Sequence, residues 1–174
     1  MRYAIVCALA ASAVIAGEAR AGGPCAEGAR SRIVRSVKGG KPIAIAAPSD
    51  RPVYGELTFV ELNGDGKQDL VLGSACIRSP TDSVRLYRVY ASCGPAADGV
   101  EDFVQLFEEE QPCARSVKIE RQAAQTKLDG VAWQDLQLTV TMPGKRCEQT
   151  TAPLSFDGAQ YRAGQGTTKG CPKR

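Results

Sequence analysis

The longest alternating stretch in this chain covers residues 131–142. Leu136, Leu138, Val140 and Met142 fall at one parity, and Asp135, Gln137, Thr139 and Thr141 at the other. A period of two sends successive side chains to opposite faces of a strand, so this segment predicts a β-strand with one wet face. Shorter segments rich in β-branched, aromatic or alternating residues recur at 31–38, 42–47, 56–60, 70–72, 83–91, 103–107 and 116–121. Turn residues separate them: two prolines within 48–52, the run Asn63-Gly64-Asp65-Gly66, a loop over 93–99, and Asp157-Gly158, which predicts a hairpin across 154–161. Glu108, Glu109 and Glu110 read as the solvated end of the 103–107 strand. The best helical stretch, 120–127, is short. The pattern predicts an all-β, mainly antiparallel fold, either a small sandwich or a propeller-blade-like sheet.

The N-terminal 21 residues read as a secretory leader. Arg2 supplies the positive start, residues 3–17 are uncharged and mostly apolar, and Ala19 and Ala21 form an A-x-A cleavage site. The apolar stretch is shorter than the roughly 20 residues a membrane span needs. Export to the periplasm or the exterior is expected, with residues 22–174 as one β-rich domain and no membrane span after cleavage. Of the seven cysteines, Cys7 lies in the leader; Cys25, Cys76, Cys93, Cys113, Cys147 and Cys171 remain. An even number in an exported chain reads as three disulfides, and spacing alone does not choose the pairing. The expected pairing is Cys25–Cys171, Cys76–Cys93 and Cys113–Cys147. A zinc cluster fits poorly, because the chain has no C-x₂-C pair and no histidine.

Charge and the missing histidine exclude more. Lys+Arg is 22 against 19 Asp+Glu, a net +3, which is too even to argue for nucleic acid. Without histidine there is no His general base and no Ser/His or Cys/His nucleophile pair. No catalytic motif appears, so the chain reads as a non-enzyme.

One stretch carries chemistry. Residues 61–70 place oxygen donors on Glu61, Asn63, Asp65 and Asp69, with the Lys67 carbonyl as a further donor and its side chain pointing out. Alternate donors on a tight loop can wrap one hard cation, and three carboxylates with an amide suit calcium better than magnesium. Gly64 and Gly66 let the backbone curl. Leu72 occupies the place where a helical calcium loop has its last glutamate, so this would be a loop between strands. The same residues also read as a plain polar turn, since Asn-Gly and Asp-Gly are strong hairpin signals.

Residues 59–72, FVELNGDGKQDLVL, resemble the FG-GAP/VCBS repeat, whose pattern is an apolar pair, D-x-N-G-D-G-x-x-D, then Leu-Val-Val. The resemblance implies a structural calcium ion held by Asn63, Asp65, the Lys67 carbonyl and Asp69, with Glu61 standing where the repeat prefers Asp. Such repeats build calcium-binding propeller blades. One strong copy in a chain this short implies no closed multi-blade propeller. Residues 128–136 are a degenerate echo, and with residues 156–161 the chain resembles small exported bacterial proteins carrying one such motif.

Other clusters have bland readings. Trp133, Tyr87, Tyr90 and Tyr161 could stack on carbohydrate or fill a core. Asp102 with the nearby glutamates could form a glycosidase pair. Arg78, Arg85 and Arg88 could make a basic patch or a solvated strand face. The expected function is an exported non-catalytic binding or structural module with a calcium-ordered loop at 61–69 and a protein or carbohydrate partner. The alternative is a small secreted or periplasmic enzyme inhibitor or immunity-type protein that inserts the 95–102 loop.

Overall fold

The computed structural model describes residues 24–26, 30–35, 42–46, 53–78, 83–128, 130–142 and 147–171. The leader, the 48–52 turn and Asp129 of the motif echo lie outside them. The described residues form twelve strands in order: β1 (Arg30–Arg35), β2 (Pro42–Ala46), β3 (Val53–Val60), β4 (Asp69–Ser74), β5 (Ile77–Arg78), β6 (Ser83–Pro95), β7 (Glu101–Pro112), β8 (Ser116–Leu128), β9 (Val131–Met142), β10 (Glu148–Phe156), β11 (Tyr161–Ala163) and β12 (Thr167–Gly170). The described residues contain no helix, and every strand pair is antiparallel.

The first sheet has seven strands in the order β4-β3-β2-β1-β7-β6-β5, and β4 also pairs with β6. That last pairing closes a ring of six strands. Leu70, Leu72, Tyr90 and Phe103 are buried together there, with Ile33, Val53 and Leu57 packed against them. These residues come from β1, β3, β4, β6 and β7. Their neighbours of opposite parity, among them Val89, Ala91, Val104 and Leu106, belong to a second and larger core. Close approach of β3 and β4 demands glycine at 55, where a Cβ would collide with the Gly73 carbonyl oxygen.

The second sheet runs β11-β10-β9-β8, with β12 also on β10. Its inner face carries Trp133, Leu136, Leu138, Leu154, Phe156 and Tyr161 into the larger core. Trp133 stacks on Phe156 with ring centroids 3.9 Å apart, and Tyr161 tilts against Phe156 at 5.6 Å. The 131–142 alternation is realised as β9, with Leu136 and Leu138 inside. The Asp157-Gly158 hairpin forms as expected: Asp157 Oδ1 accepts from the Ala159 and Gln160 amides, both at 2.9 Å, and Gly158 takes a φ of 106°. The Gln160 amide, the Arg162 guanidinium and the Ala159 amide hold the Asp157 pKa down to about 2. Sandwich-like packing of a curled sheet on an open one is therefore the architecture, and it is not a closed propeller.

Two expectations fail. Residues 120–127 are strand, inside β8, despite their helix-forming Ala, Gln, Glu and Lys. Pairing with β9 overrides that local preference, and a register break between Arg121 and Gln125 absorbs the poor fit. The Gln134 side-chain amide then donates to the Gln122 and Ala124 carbonyls of the irregular stretch. Likewise Glu108, Glu109 and Glu110 are not a strand end but lie within β7, paired with Arg88, Tyr87 and Leu86.

The disulfide pairing is also corrected: Cys25–Cys93, Cys76–Cys113 and Cys147–Cys171. Cys25 is bonded to Cys93 on β6 of the first sheet and Cys171 to Cys147 beside β10 of the second, so Cys25 and Cys171 do not meet. Cys25–Cys93 and Cys76–Cys113 both staple the first sheet. Cys147–Cys171 continues the β10–β12 ladder of the second, where the Cys171 amide donates to the Cys147 carbonyl at 3.1 Å. Three disulfides indicate folding in an oxidising compartment. No described helix is long and apolar enough to cross a membrane.

Removing Cys147–Cys171 by a double Cys→Ser change should lower stability by about 3 kcal/mol, given its separation of 24 residues. Hydrogen exchange read residue by residue should show β12 opening while the amides of β6 and β7 keep their protection.

Candidate functional site

The β3–β4 connection, residues 61–68, is curled by its own side chains. Glu61 Oε1 accepts from the Gly64 amide at 2.8 Å and the Asn63 amide at 3.4 Å. Asn63 Oδ1 accepts from Asp65 N at 3.1 Å, and Asp65 Oδ1 from Lys67 N at 2.8 Å. Each is a short polar side chain closing a turn on a backbone donor two or three residues on. Gly64 and Gly66 take the left-handed φ values of 71° and 78° that the curl requires. The Lys67 side chain does not simply point out. Its Nζ lies 3.7 Å from Asp65 Oδ2, and a Cβ placed on Gly94 would stand 3.5 Å from it.

Asp69 behaves differently from the other expected ligands. It is fully buried at 0% exposure. Its Oδ2 accepts from the Leu62 amide and its Oδ1 from the Ser92 amide, both at 2.8 Å. Ser92 stands where the β6–β7 register shifts, so the carboxylate satisfies a donor that the ladder leaves open. Burial raises the Asp69 pKa to about 6; the two amides pull it down, and the charges of Asp65 and Glu61 add to the rise.

Leu62, unnoticed in the sequence, locks the loop to the second sheet. Its side chain is buried in the larger core, and its carbonyl accepts from Gln134 N at 2.6 Å. The Gln134 carbonyl in turn accepts from the Tyr161 hydroxyl at 2.7 Å. The only hint in the sequence was an apolar residue set inside a polar loop.

The donor set has the chemistry for a hard cation, but the arrangement does not gather it around one. Glu61, Asn63 and Asp65 each spend an oxygen on the loop's own N–H groups, and Asp69 spends both. Among the described residues no three Asp, Glu, Cys or His side chains are grouped to hold a metal.

Beside the loop opens a cleft of about 1050 Å³. The Cys25–Cys93 disulfide, Ala91, Val131, Ala132 and Trp133 give it apolar walls, and Glu61, Asn63, Asp65, Lys67, Arg121 and Gln134 a polar rim. Val131 is 40% exposed there.

The remaining candidates resolve structurally. Trp133, Tyr87, Tyr90 and Tyr161 are all buried, so they form no exposed stacking platform. Asp102 binds Arg32 at 2.7 Å and Glu108 binds Arg88 at 2.5 Å, which occupies both carboxylates with cations. Arg88 is thereby paired, Arg78 lies exposed on β5, and Arg85 has a buried Nε with no partner among the described residues.

Asp69→Ala strands two buried amides and should lower stability by about 2–4 kcal/mol. The native carboxyl binds its proton more tightly than in the unfolded chain. The proton-linked part of its contribution, separate from the two amide hydrogen bonds, is therefore full below about pH 4 and lost as pH rises through about 6, amounting to about 3 kcal/mol. Denaturant midpoints between these pH values should fall in the wild type and be flatter in Asp69→Asn. The chain matches no family model, no curated protein and no solved structure, so the likeness to FG-GAP/VCBS repeats rests on residues 59–72 alone.

Proposed function

We propose that the chain is an exported, non-catalytic binding module whose recognition surface is the cleft beside the 61–67 loop, with calcium ordering that loop. The observation that carries the reading is the loop's double anchorage. Leu62 and Asp69 tie its two ends to β6 and β9, so its tip is presented from a rigid base beside a cleft with apolar walls and a polar rim. Preorganised surfaces of this kind favour recognition because little order is lost on binding. A protein or carbohydrate partner suits such a lining.

Calcium is supported by the donor chemistry of Glu61, Asn63, Asp65, the Lys67 carbonyl and Asp69, and by the repulsion that Asp65 and Glu61 exert on Asp69. A divalent ion would neutralise that repulsion. Glu61 and Asp65 each keep a second carboxylate oxygen for the ion, whereas Asn63 would have to share or release its one oxygen and Asp69 would have to share one that already accepts from the Leu62 or Ser92 amide. Periplasmic or extracellular residence, following cleavage after residue 21, belongs to the same reading.

A second reading, an enzyme inhibitor, draws on one specific feature. The β6–β7 tip is clamped by Arg32, which holds Asp98 at 2.5 Å and Asp102 at 2.7 Å, while Asp98 Oδ1 accepts from Val100 N at 3.1 Å. A rigid projecting hairpin with Val100 exposed suits insertion into an enzyme cleft. In that case Arg32→Ala should weaken a stoichiometric enzyme complex while leaving any calcium response unchanged.

The primary test is thermal unfolding of the oxidised protein in EDTA, in millimolar calcium and in magnesium. Calcium at ~100 times its dissociation constant should stabilise by about 2.7 kcal/mol, a shift of several degrees. Magnesium should do less, and Asp65→Ala should abolish the shift. Equal melting temperatures in all three solutions would leave the loop a self-capped turn.

A further inference from the structure

We propose that two copies of this chain pair edge to edge through β8, in one antiparallel register centred on Ile119. β8 is an outer strand of the second sheet. It pairs with β9 on one side, and no described residue pairs with its other side. From Ser116 to Arg121 its register with β9 is unbroken, so a regular stretch of backbone donors and acceptors faces outward before the register break begins. Such an edge is a template for another strand.

The inner face of this stretch is incompletely covered. Val117 and Ile119 pack against the core yet remain partly exposed. Alongside runs a crevice of about 280 Å³ between the two sheets, lined by Phe59, Val60, Val71, Ile119, Arg121 and Leu136. Phe59 at this crevice is 47% exposed. A strand added to β8 would extend the inner face and cover the open end of the sandwich.

Charge selects the second copy as the occupant and fixes the register. The outward face of the edge carries Lys118 and Glu120, with side chains 68% and 49% exposed and their charges 2.7 Å apart. A two-fold axis at Ile119 sets Lys118 opposite Glu120 of the second copy, and Glu120 opposite its Lys118. Ile119 then meets its own copy on the inner face. Moving the axis to Lys118 opposes two lysines, and moving it to Glu120 opposes two glutamates. Opposite charges across a strand pair attract and like charges repel, so the two side chains reject neighbouring registers and accept this one. The interface is isologous, as a two-fold dimer requires.

Sedimentation velocity on the purified, oxidised protein, from ~1 μM to ~1 mM, tests this. A species of twice the chain mass should grow with concentration. Lys118→Glu and Glu120→Lys should each weaken the dimer by about tenfold or more, since each reverses two cross-strand pairs. The combined exchange Lys118→Glu with Glu120→Lys restores opposite charges and should return the dimer to wild-type strength. Both positions are exposed, and circular dichroism verifies that the variants stay folded. A monomer throughout the range, a dimer indifferent to both single reversals, or a double exchange that fails to restore it would each overturn the proposal.

Discussion

The carboxylate of Asp69 is the point on which the rest of the structure depends. It begins β4, immediately after the loop, and is buried with both oxygens taken by backbone amides. One amide, of Leu62, belongs to the loop's entry; the other, of Ser92, to β6. The Leu62 carbonyl then reaches Gln134 on β9, whose own carbonyl takes the Tyr161 hydroxyl. A single chain of hydrogen bonds thus runs from the ring of strands through the loop to the far side of the second sheet. Desolvation opposes this arrangement and raises the carboxyl pKa, but loss of the carboxylate would leave two buried donors unmet. The arrangement is held in place because the surrounding apolar packing gives those donors no other partner.

The disulfides explain why this chain of bonds matters so much. Cys76–Cys113 and Cys147–Cys171 join segments flanking strands of a single sheet, Cys25–Cys93 ties the 24–26 turn to β6, and none joins a strand of one sheet to a strand of the other. The sheets are joined by the apolar core around Trp133, Phe156 and Leu62 and by the contacts of the loop. The presented loop, the cleft and the inter-sheet junction are therefore one region. A ligand or ion acting on the loop acts on the junction too, which links binding directly to stability.

Much of the architecture was legible along the chain. The alternation in 131–142 gave β9 and its inner face, and Asp157-Gly158 gave the β10–β11 hairpin, because both signals are local. Residues 120–127 misled, since their helix preference is local while the pairing that defeats it comes from β9 and the Gln134 side chain. The cysteine pairing was unreadable because it follows which strands become neighbours. At the site, the turn chemistry of Asn63-Gly64 and Asp65-Gly66 was visible, whereas the turn-closing role of Glu61 and the inward role of Asp69 were not. A sequence shows an oxygen donor but not its burial, and only Ser92, distant in the chain, reveals which way the carboxylate faces.

The most direct measurement of this account is an NMR pH titration of the Leu62 and Ser92 amides in the oxidised protein. Both should resist hydrogen exchange near neutral pH like amides within a strand ladder. Both should also shift together through one transition near the Asp69 pKa of about 6. Rapid exchange at loop rates, or two amides that titrate independently of each other, would contradict the claim that one buried carboxylate joins the loop to the fold.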